Sequence, residues 1–129
     1  EEIERDLVFN SQNNYLVSIG HQAGYQAWGS ANSILIGYSA GFNQSTNRTT
    51  GIGRNNIIIG TNISLPDGRR DSINLGGILF GTGSYFDITG SAFRDTVGNG
   101  RIGINVVNPI FNLEVSGSSR ITNGLQITG

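Results

Sequence analysis

A short motif of the form apolar-x-apolar-Gly recurs between Val17 and Gly76 and constrains the fold more than any other feature of the sequence. Its four copies are Val17-Ser18-Ile19-Gly20, Ile34-Leu35-Ile36-Gly37, Ile57-Ile58-Ile59-Gly60 and Ile73-Asn74-Leu75-Gly76. The last three copies have Asn or Asp shortly upstream, at Asn32, Asn55 and Asp71. The two apolar residues share one face of a strand, the Gly permits a corner, and the Asn or Asp supplies a turn. Each copy predicts one strand and one corner, whose apolar face is covered by stacked neighbours or by other chains.

The first two copies extend into a longer match, Ile-Gly-x-x-Ala-Gly followed by an aromatic residue. This alignment pairs His21 with Tyr38 and Tyr25 with Phe42. The first pairing predicts that His21, the only histidine, has a structural role in a position that accepts a flat polar ring. The alternatives are an axial ion held by three symmetry-related His21 rings, or use of His21 as a catalytic base. The second pairing predicts packing between layers or between chains.

The composition favours strands over helices along nearly the whole chain. The one helical candidate is Glu1 to Val8, for which a frayed arm is the alternative. The sequence includes 17 Ile, 20 Gly and 15 Asn, so β-branched runs alternate with turn residues. We therefore predict an all-β fold with short strands in a β-roll or β-helix-like repeat region. The predicted divisions are an N-terminal arm (1–14), the Ile-Gly repeat region (15–83), a Gly-rich loop (84–100) and a C-terminal β junction region (101–129).

The residue pattern of the junction region predicts a short strand, a turn at Pro109 and a second strand. In that second strand Phe111, Leu113 and Val115 share a face and are expected to enter a shared core. The Asn123-Gly124 pair, flanked by short β-branched runs, then predicts a small β-hairpin.

Charge and residue usage exclude several classes of function. The chain has 9 acidic and 8 basic side chains, a net charge of −1, so no basic field would attract nucleic acid. It contains no Cys and no Lys, which excludes disulfides, thiolate metal sites and Schiff-base chemistry. No apolar stretch is long enough for membrane insertion. We therefore expect no nucleic-acid partner and no membrane insertion.

The junction region also carries a recognisable signature. Its residues are Gly103-Ile104-Asn105, Pro109 and Leu113-Glu114-Val115-Ser116-Gly117. They resemble the Gly-Ile-Gly-Thr-x-x-Pro-x-x-x-Leu-x-Val-x-Gly pattern of bacteriophage tail fibres and tailspikes, which often lies upstream of an endosialidase-type intramolecular chaperone domain. This chain departs from the pattern at Asn105 and Val106, where the pattern has Gly and Thr.

The upstream repeats resemble the fibre repeats that precede this signature and, more distantly, the heads of trimeric autotransporter adhesins. Both resemblances imply an intertwined obligate homotrimer. The first implies a structural segment of a viral tail fibre, located in the virion with other tail-fibre proteins as partners. It would act as a mechanical spacer and in host-surface recognition. The second implies a bacterial cell-surface adhesin.

Catalysis is the third alternative, as a fibre-borne polysaccharide depolymerase. A glycoside hydrolase needs two cooperating carboxylates, and no spacing in this chain selects a pair. The candidate carboxylates are Asp67, Asp71, Asp87, Asp95 and Glu114. Residues 98–103 fit the G-x-G-x-x-G dinucleotide pattern, but the residues after it do not favour the helix that this motif requires. We therefore predict no enzyme activity, no cofactor and no metal.

Three aromatic residues of the repeat region are the candidate receptor contacts, Trp28, Tyr38 and Tyr25. Rings exposed on a fibre would stack against sugars of a host-surface glycan. The competing interpretation is packing, which the equivalence of Tyr25 and Phe42 favours. Trp28 has no equivalent in the repeat and is therefore the stronger candidate for a surface role.

Overall fold

The computed structural model describes residues 15–42, 51–83 and 100–129, and these residues form an all-β structure. One seven-stranded sheet contains strands in the order of the chain, and the three described ranges contain no helix. The strands are β1 (Val17–Ile19), β2 (Ile34–Ile36), β3 (Ile57–Ile59), β4 (Ser72–Leu75), β5 (Leu79–Thr82), β6 (Arg101–Ile104) and β7 (Leu113–Val115). The N-terminal arm and all but the last residue of the Gly-rich loop lie outside the described residues.

The four motif copies coincide with strands β1 to β4, which pair in parallel. Val17, Ile34, Ile57 and Ile73 lie side by side on successive strands. Hydrogen bonding continues past the strands, because the Gly37 amide donates to the Ile19 carbonyl group at 2.8 Å and later corners repeat this bond. Each strand predicted from the motif is confirmed, and each copy contributes one layer of a stacked structure.

The core lies on the face of the central motif residue. Leu35 and Ile58 are completely buried, while the residues on either side of them are half-buried or exposed. The corners of the layers supply the rest of the core, namely Ala27, Ala40, Ile52 and Leu65. The paired apolar residues of each motif therefore share a face, as predicted, and this face is opposite to the core.

A ladder of polar side chains precedes the strands. Asn32, Asn55 and Asp71 all adopt left-handed backbone conformations, with φ between 55° and 61°. The Asn32 amide donates to Asn55 at 3.2 Å, and the Asn55 amide donates to Asp71 at 2.7 Å. Asn and Asp tolerate this conformation better than other non-Gly residues, so the turn predicted upstream of each motif is confirmed.

Asn56, the residue before β3, connects the layer of β3 to the layer of β4 through hydrogen bonds inside the core. Its fully buried amide donates to the carbonyl groups of Ile52 at 3.1 Å and Arg69 at 2.8 Å. Its side-chain oxygen accepts a hydrogen bond from the Ser72 amide at 3.1 Å. These three bonds satisfy a polar group that would otherwise be costly to bury.

The second half of the sheet differs from the repeat. β5 pairs antiparallel with β4, β6 antiparallel with β5, and β7 parallel with β6. A tight turn joins β4 to β5, and its Gly76 and Gly77 have φ of 64° and 71°. Sequence analysis did not predict β5. The Gly-Gly pair between two apolar runs was the available signal, since such pairs favour hairpins.

The junction region contains two strands on either side of the Pro109 turn, as predicted, but the second begins at Leu113, so Phe111 lies outside it. Asn105 has a φ of 55°, within the left-handed region that Gly adopts readily. Asn105, which stands where the signature has Gly, is therefore compatible with the turn geometry at this position.

The predicted C-terminal hairpin is wrong for this structure. Residues 116–129 are exposed and contain no strand. An Asn-Gly type I′ turn requires positive φ at both residues, and of the pair only Gly124 has it, at 98°. A lone two-stranded hairpin is marginal in water without further strands or a helix to pack against, which accounts for the difference.

Candidate interaction surface

The sheet carries a continuous apolar surface on the side opposite to the core, which we call the outer apolar face. Strand register places its residues in two columns that run across all seven strands. The first column contains Val17, Ile34, Ile57, Ile73, Ile102 and Leu113, with Gly81 between Ile73 and Ile102. The second contains Ile19, Ile36, Ile59, Leu75, Leu79, Ile104 and Val115.

Much of this face is accessible to solvent in a single chain. Ile19 is 58% exposed, Ile102 47% and Leu113 64%. Scattered exposed apolar residues are normal on a monomer, but a contiguous apolar surface marks an interaction site. The outer apolar face is therefore the main candidate interaction surface of the chain.

The junction strand belongs to this face. Leu113 and Val115 continue its two columns, and both are exposed, as is Phe111. The expectation that these three residues enter a shared core is not met within one chain. The reason is that no other described residue packs over this end of the outer apolar face, so these side chains stay exposed.

Two aromatic stacks join the first layer to the second. The rings of His21 and Tyr38 have centroids 5.6 Å apart and planes 12° apart. Those of Tyr25 and Phe42 are separated by 5.3 Å and 17°. Both pairs are the equivalent positions that sequence analysis identified, so these rings pack between layers. Tyr25 and Tyr38 nevertheless keep 41% and 49% of their surface exposed.

Trp28, the third candidate receptor contact, is half-buried at a corner of the first layer. Gly51 of the next layer lies against it, and a Cβ at Gly51 would overlap the Trp28 carbonyl oxygen. The structure thus places Tyr38 and Tyr25 in stacks between layers and Trp28 beside a close contact between backbones.

Three of the five candidate carboxylates, Asp67, Asp71 and Glu114, lie among the described residues. Glu114 accepts a hydrogen bond from the Ile110 amide at 2.8 Å, and Asp71 accepts one from Asn55. Asp67 is exposed on a turn, and Asp87 and Asp95 lie outside the described residues. Within residues 15–42, 51–83 and 100–129, no group of three His, Asp or Glu side chains could hold a metal ion.

Residues 98–103, which fit the dinucleotide pattern, lead into strand β6 rather than a helix. The first two of these residues lie outside the described part of the chain. A phosphate-binding turn of that type needs a helix N-terminus, so the geometry at Arg101–Ile104 does not provide one. Among the described residues there is also no helix of a length and hydropathy suited to crossing a membrane.

Sequence analysis missed one pair of charged residues. Arg54 and Arg70 stand at the same offset before the apolar motifs that begin at Ile57 and Ile73, and that common offset was the signal available. In the structure the Asp71 amide donates to the Arg54 carbonyl group at 3.1 Å, just as the Asn55 amide donates to Ala31 one layer earlier. Ala31, Arg54 and Arg70 therefore occupy one column on successive layers, which we call the arginine column.

No protein-family model, curated protein or solved structure matches this chain. Its function is therefore argued from the outer apolar face, the aromatic stacks and the arginine column.

Proposed function

We propose that this chain is a structural segment of a trimeric viral tail fibre, in which three intertwined copies pack through their outer apolar faces. The observation that carries the proposal is the pair of apolar columns across seven strands, whose aliphatic side chains are half-buried or exposed in a single chain. Burying one large aliphatic side chain contributes about 1.5–3 kcal/mol, so a face of this length supports a stable assembly.

The number of copies and the setting come from the resemblance of residues 103–117 to phage tail fibres and tailspikes. Short stacked layers with Gly at the corners are consistent with the β-roll or β-helix-like repeats of such fibres. The proposed location is the virion, with other tail-fibre proteins as partners. A mechanical spacer of this kind requires no catalytic group, metal or cofactor.

Host-surface recognition is the second part of the proposed role. The partly exposed rings of Tyr25 and Tyr38, together with Trp28, are the aromatic residues offered to a host glycan. Their packing between layers does not prevent such contact, because about half of each tyrosine surface remains accessible.

A bacterial trimeric adhesin head is the alternative that one observation favours. The Ile-Gly motifs on which the weaker resemblance rests form the parallel strands β1 to β4. Both proposals include a homotrimer. They differ in the sequence that we expect the gene to encode after Gly129. A chaperone domain there supports the fibre, whereas a coiled coil with a membrane anchor supports the adhesin.

The trimer is tested by light scattering on the full chain at micromolar concentration. We expect three times the chain mass of 13.7 kDa. Ile19→Asp places a charge on the outer apolar face and should return the single-chain mass. Ile127→Asp is the matched control, because Ile127 is 81% exposed and lies away from the sheet. A wild-type mass of one chain, or equal effects of both variants, would contradict the proposal.

A further inference from the structure

Two arginines of adjacent layers occupy equivalent positions on the surface. Arg54 and Arg70 belong to the arginine column, and both side chains are exposed. Neighbouring strands in a sheet are about 4.8 Å apart, so the backbones of the two residues approach to that order of distance. Both residues lie in the turns just before β3 and β4, and like charges on side chains anchored this close together repel each other. This arrangement therefore has an electrostatic cost within the chain.

No ion pair among the described residues offsets that cost. The nearest acidic side chains in sequence are Asp67, which is exposed on the preceding turn, and Asp71. The Asp71 carboxylate accepts a hydrogen bond from Asn55 in the polar ladder. Neither carboxylate forms a salt bridge with Arg54 or Arg70.

Two other arginines use their guanidinium groups inside the chain. Arg69 donates from Nη2 to Asn108 Oδ1. Arg101 donates from Nη1 to the Pro109 carbonyl group at 3.4 Å. These contacts hold the junction turn, whereas the guanidinium groups of Arg54 and Arg70 have no such contact among the described residues.

Gly53 lies against the stem of Arg70. A Cβ at Gly53 would lie 3.2 Å from Cγ of Arg70 and would overlap the Arg69 carbonyl oxygen. Any larger residue would therefore push against the stem of Arg70. The stem of Arg70 therefore lies beside Gly53, the residue that precedes Arg54.

We propose that Arg54 and Arg70 form a binding site for the carboxylate or phosphate groups of an acidic surface glycan. Two guanidinium groups on neighbouring layers supply planar sets of donors that match these oxyanions, and a bound anion relieves the repulsion between them. The glycan as carrier rests on the proposed function, whereas the anion site itself rests only on the arginine pair.

The test measures binding of the full chain to three immobilised polysaccharides at low ionic strength. Alginate carries carboxylates, a phosphomannan carries phosphodiesters, and dextran is neutral. The variants are Arg54→Gln and Arg70→Gln. Arg120→Gln is the matched control, since Arg120 is exposed in the C-terminal segment and loses the same charge.

We expect each of the two variants to weaken binding of the anionic polymer about tenfold, the effect of losing one charge-assisted hydrogen bond. Arg120→Gln should change the affinity by less than about twofold, because it lies outside the proposed site. Binding to alginate alone, to phosphomannan alone or to both identifies the anion. Both site variants should melt at or above the wild-type temperature, which establishes that they fold.

The proposal is overturned if neither anionic polymer binds better than dextran, or if the site variants lose no more affinity than Arg120→Gln. Light scattering on the same samples separates this result from the proposed function. A trimer that binds no anion overturns the site alone, whereas a single chain that binds anions through Arg54 and Arg70 overturns the trimer alone.

Discussion

Gly37 offers the sharpest test of how the layers stack. It follows β2 with a φ of 125°, a conformation that residues with a Cβ rarely adopt. A Cβ at this position would lie 2.8 Å from the carbonyl carbon of Gly60 in the next layer and would overlap its oxygen. Gly37→Ala therefore introduces both backbone strain and a collision with backbone atoms, neither of which a side-chain rotation can relieve.

The cost follows from these two contributions. A residue held in a sparsely populated backbone region costs about 1–3 kcal/mol. Moving the Gly60 carbonyl group to an acceptable distance separates the layers locally and weakens the bond from the Gly60 amide to Ile36, now 2.9 Å long. A typical bond of this kind contributes about 0.5–1.5 kcal/mol. We expect Gly37→Ala to lower the free energy of unfolding by about 2–4 kcal/mol per chain.

The assay is urea unfolding followed by far-ultraviolet circular dichroism at a fixed protein concentration. Gly117→Ala is the control, because Gly117 has a similar φ of 132° but nothing within 4 Å of the position that the added methyl group would take. Its exposed segment can relax, so we expect a loss below about 1 kcal/mol. Equal losses for the two variants would show that close approach between layers does not determine the requirement for Gly at the corner.

Three further substitutions test the core, the polar network and the junction. Leu35→Ala removes a fully buried side chain and should lower the free energy of unfolding by about 2–5 kcal/mol, measured by urea denaturation; a loss under about 1 kcal/mol would contradict the observed core. Asn56→Leu leaves the Ser72 amide without its acceptor and should lower the thermal midpoint, whereas an unchanged midpoint would show that the buried bonds contribute nothing. In the proposed trimer, Leu113→Ala should shift the denaturant midpoint of dissociation more than Glu114→Ala, which loses one exposed hydrogen bond; the reverse order would place Leu113 outside the proposed interface.

The repeat, the stacking of its copies and the turns could be predicted from the sequence, because each layer repeats the same local chemistry. The direction of the core could not be predicted in the same way. Alternation shows that Ile34 and Ile36 share a face, but it does not show whether that face meets the chain's own core or another chain. The central positions carry no clear signal, since Leu35 and Ile58 are flanked on the neighbouring strands by the polar Ser18 and Asn74.

The candidate surfaces were predictable to different degrees. The equivalence of His21 with Tyr38 located a stack, because a ring repeated at the same place in two stacked layers lies beside its equivalent. The arginine column is harder to recognise, because the equivalent position of the second motif copy is Ala31, so no charge repeats through all the copies. The C-terminal hairpin failed because turn chemistry at Asn123 and Gly124 cannot replace the missing tertiary contacts.

The direction of the strands also has a mechanical consequence. Hydrogen bonds between β1, β2, β3 and β4 point along the stacking direction, with each layer advancing about 4.8 Å. A pull along that direction loads only the few bonds between two adjacent layers at a time, so the weakest junction yields first. If the sheets of neighbouring chains packed together along several layers, the contacts between those sheets would carry part of this load. The tensile strength of such a fibre would therefore depend on contacts across its width more than on the bonds along its length.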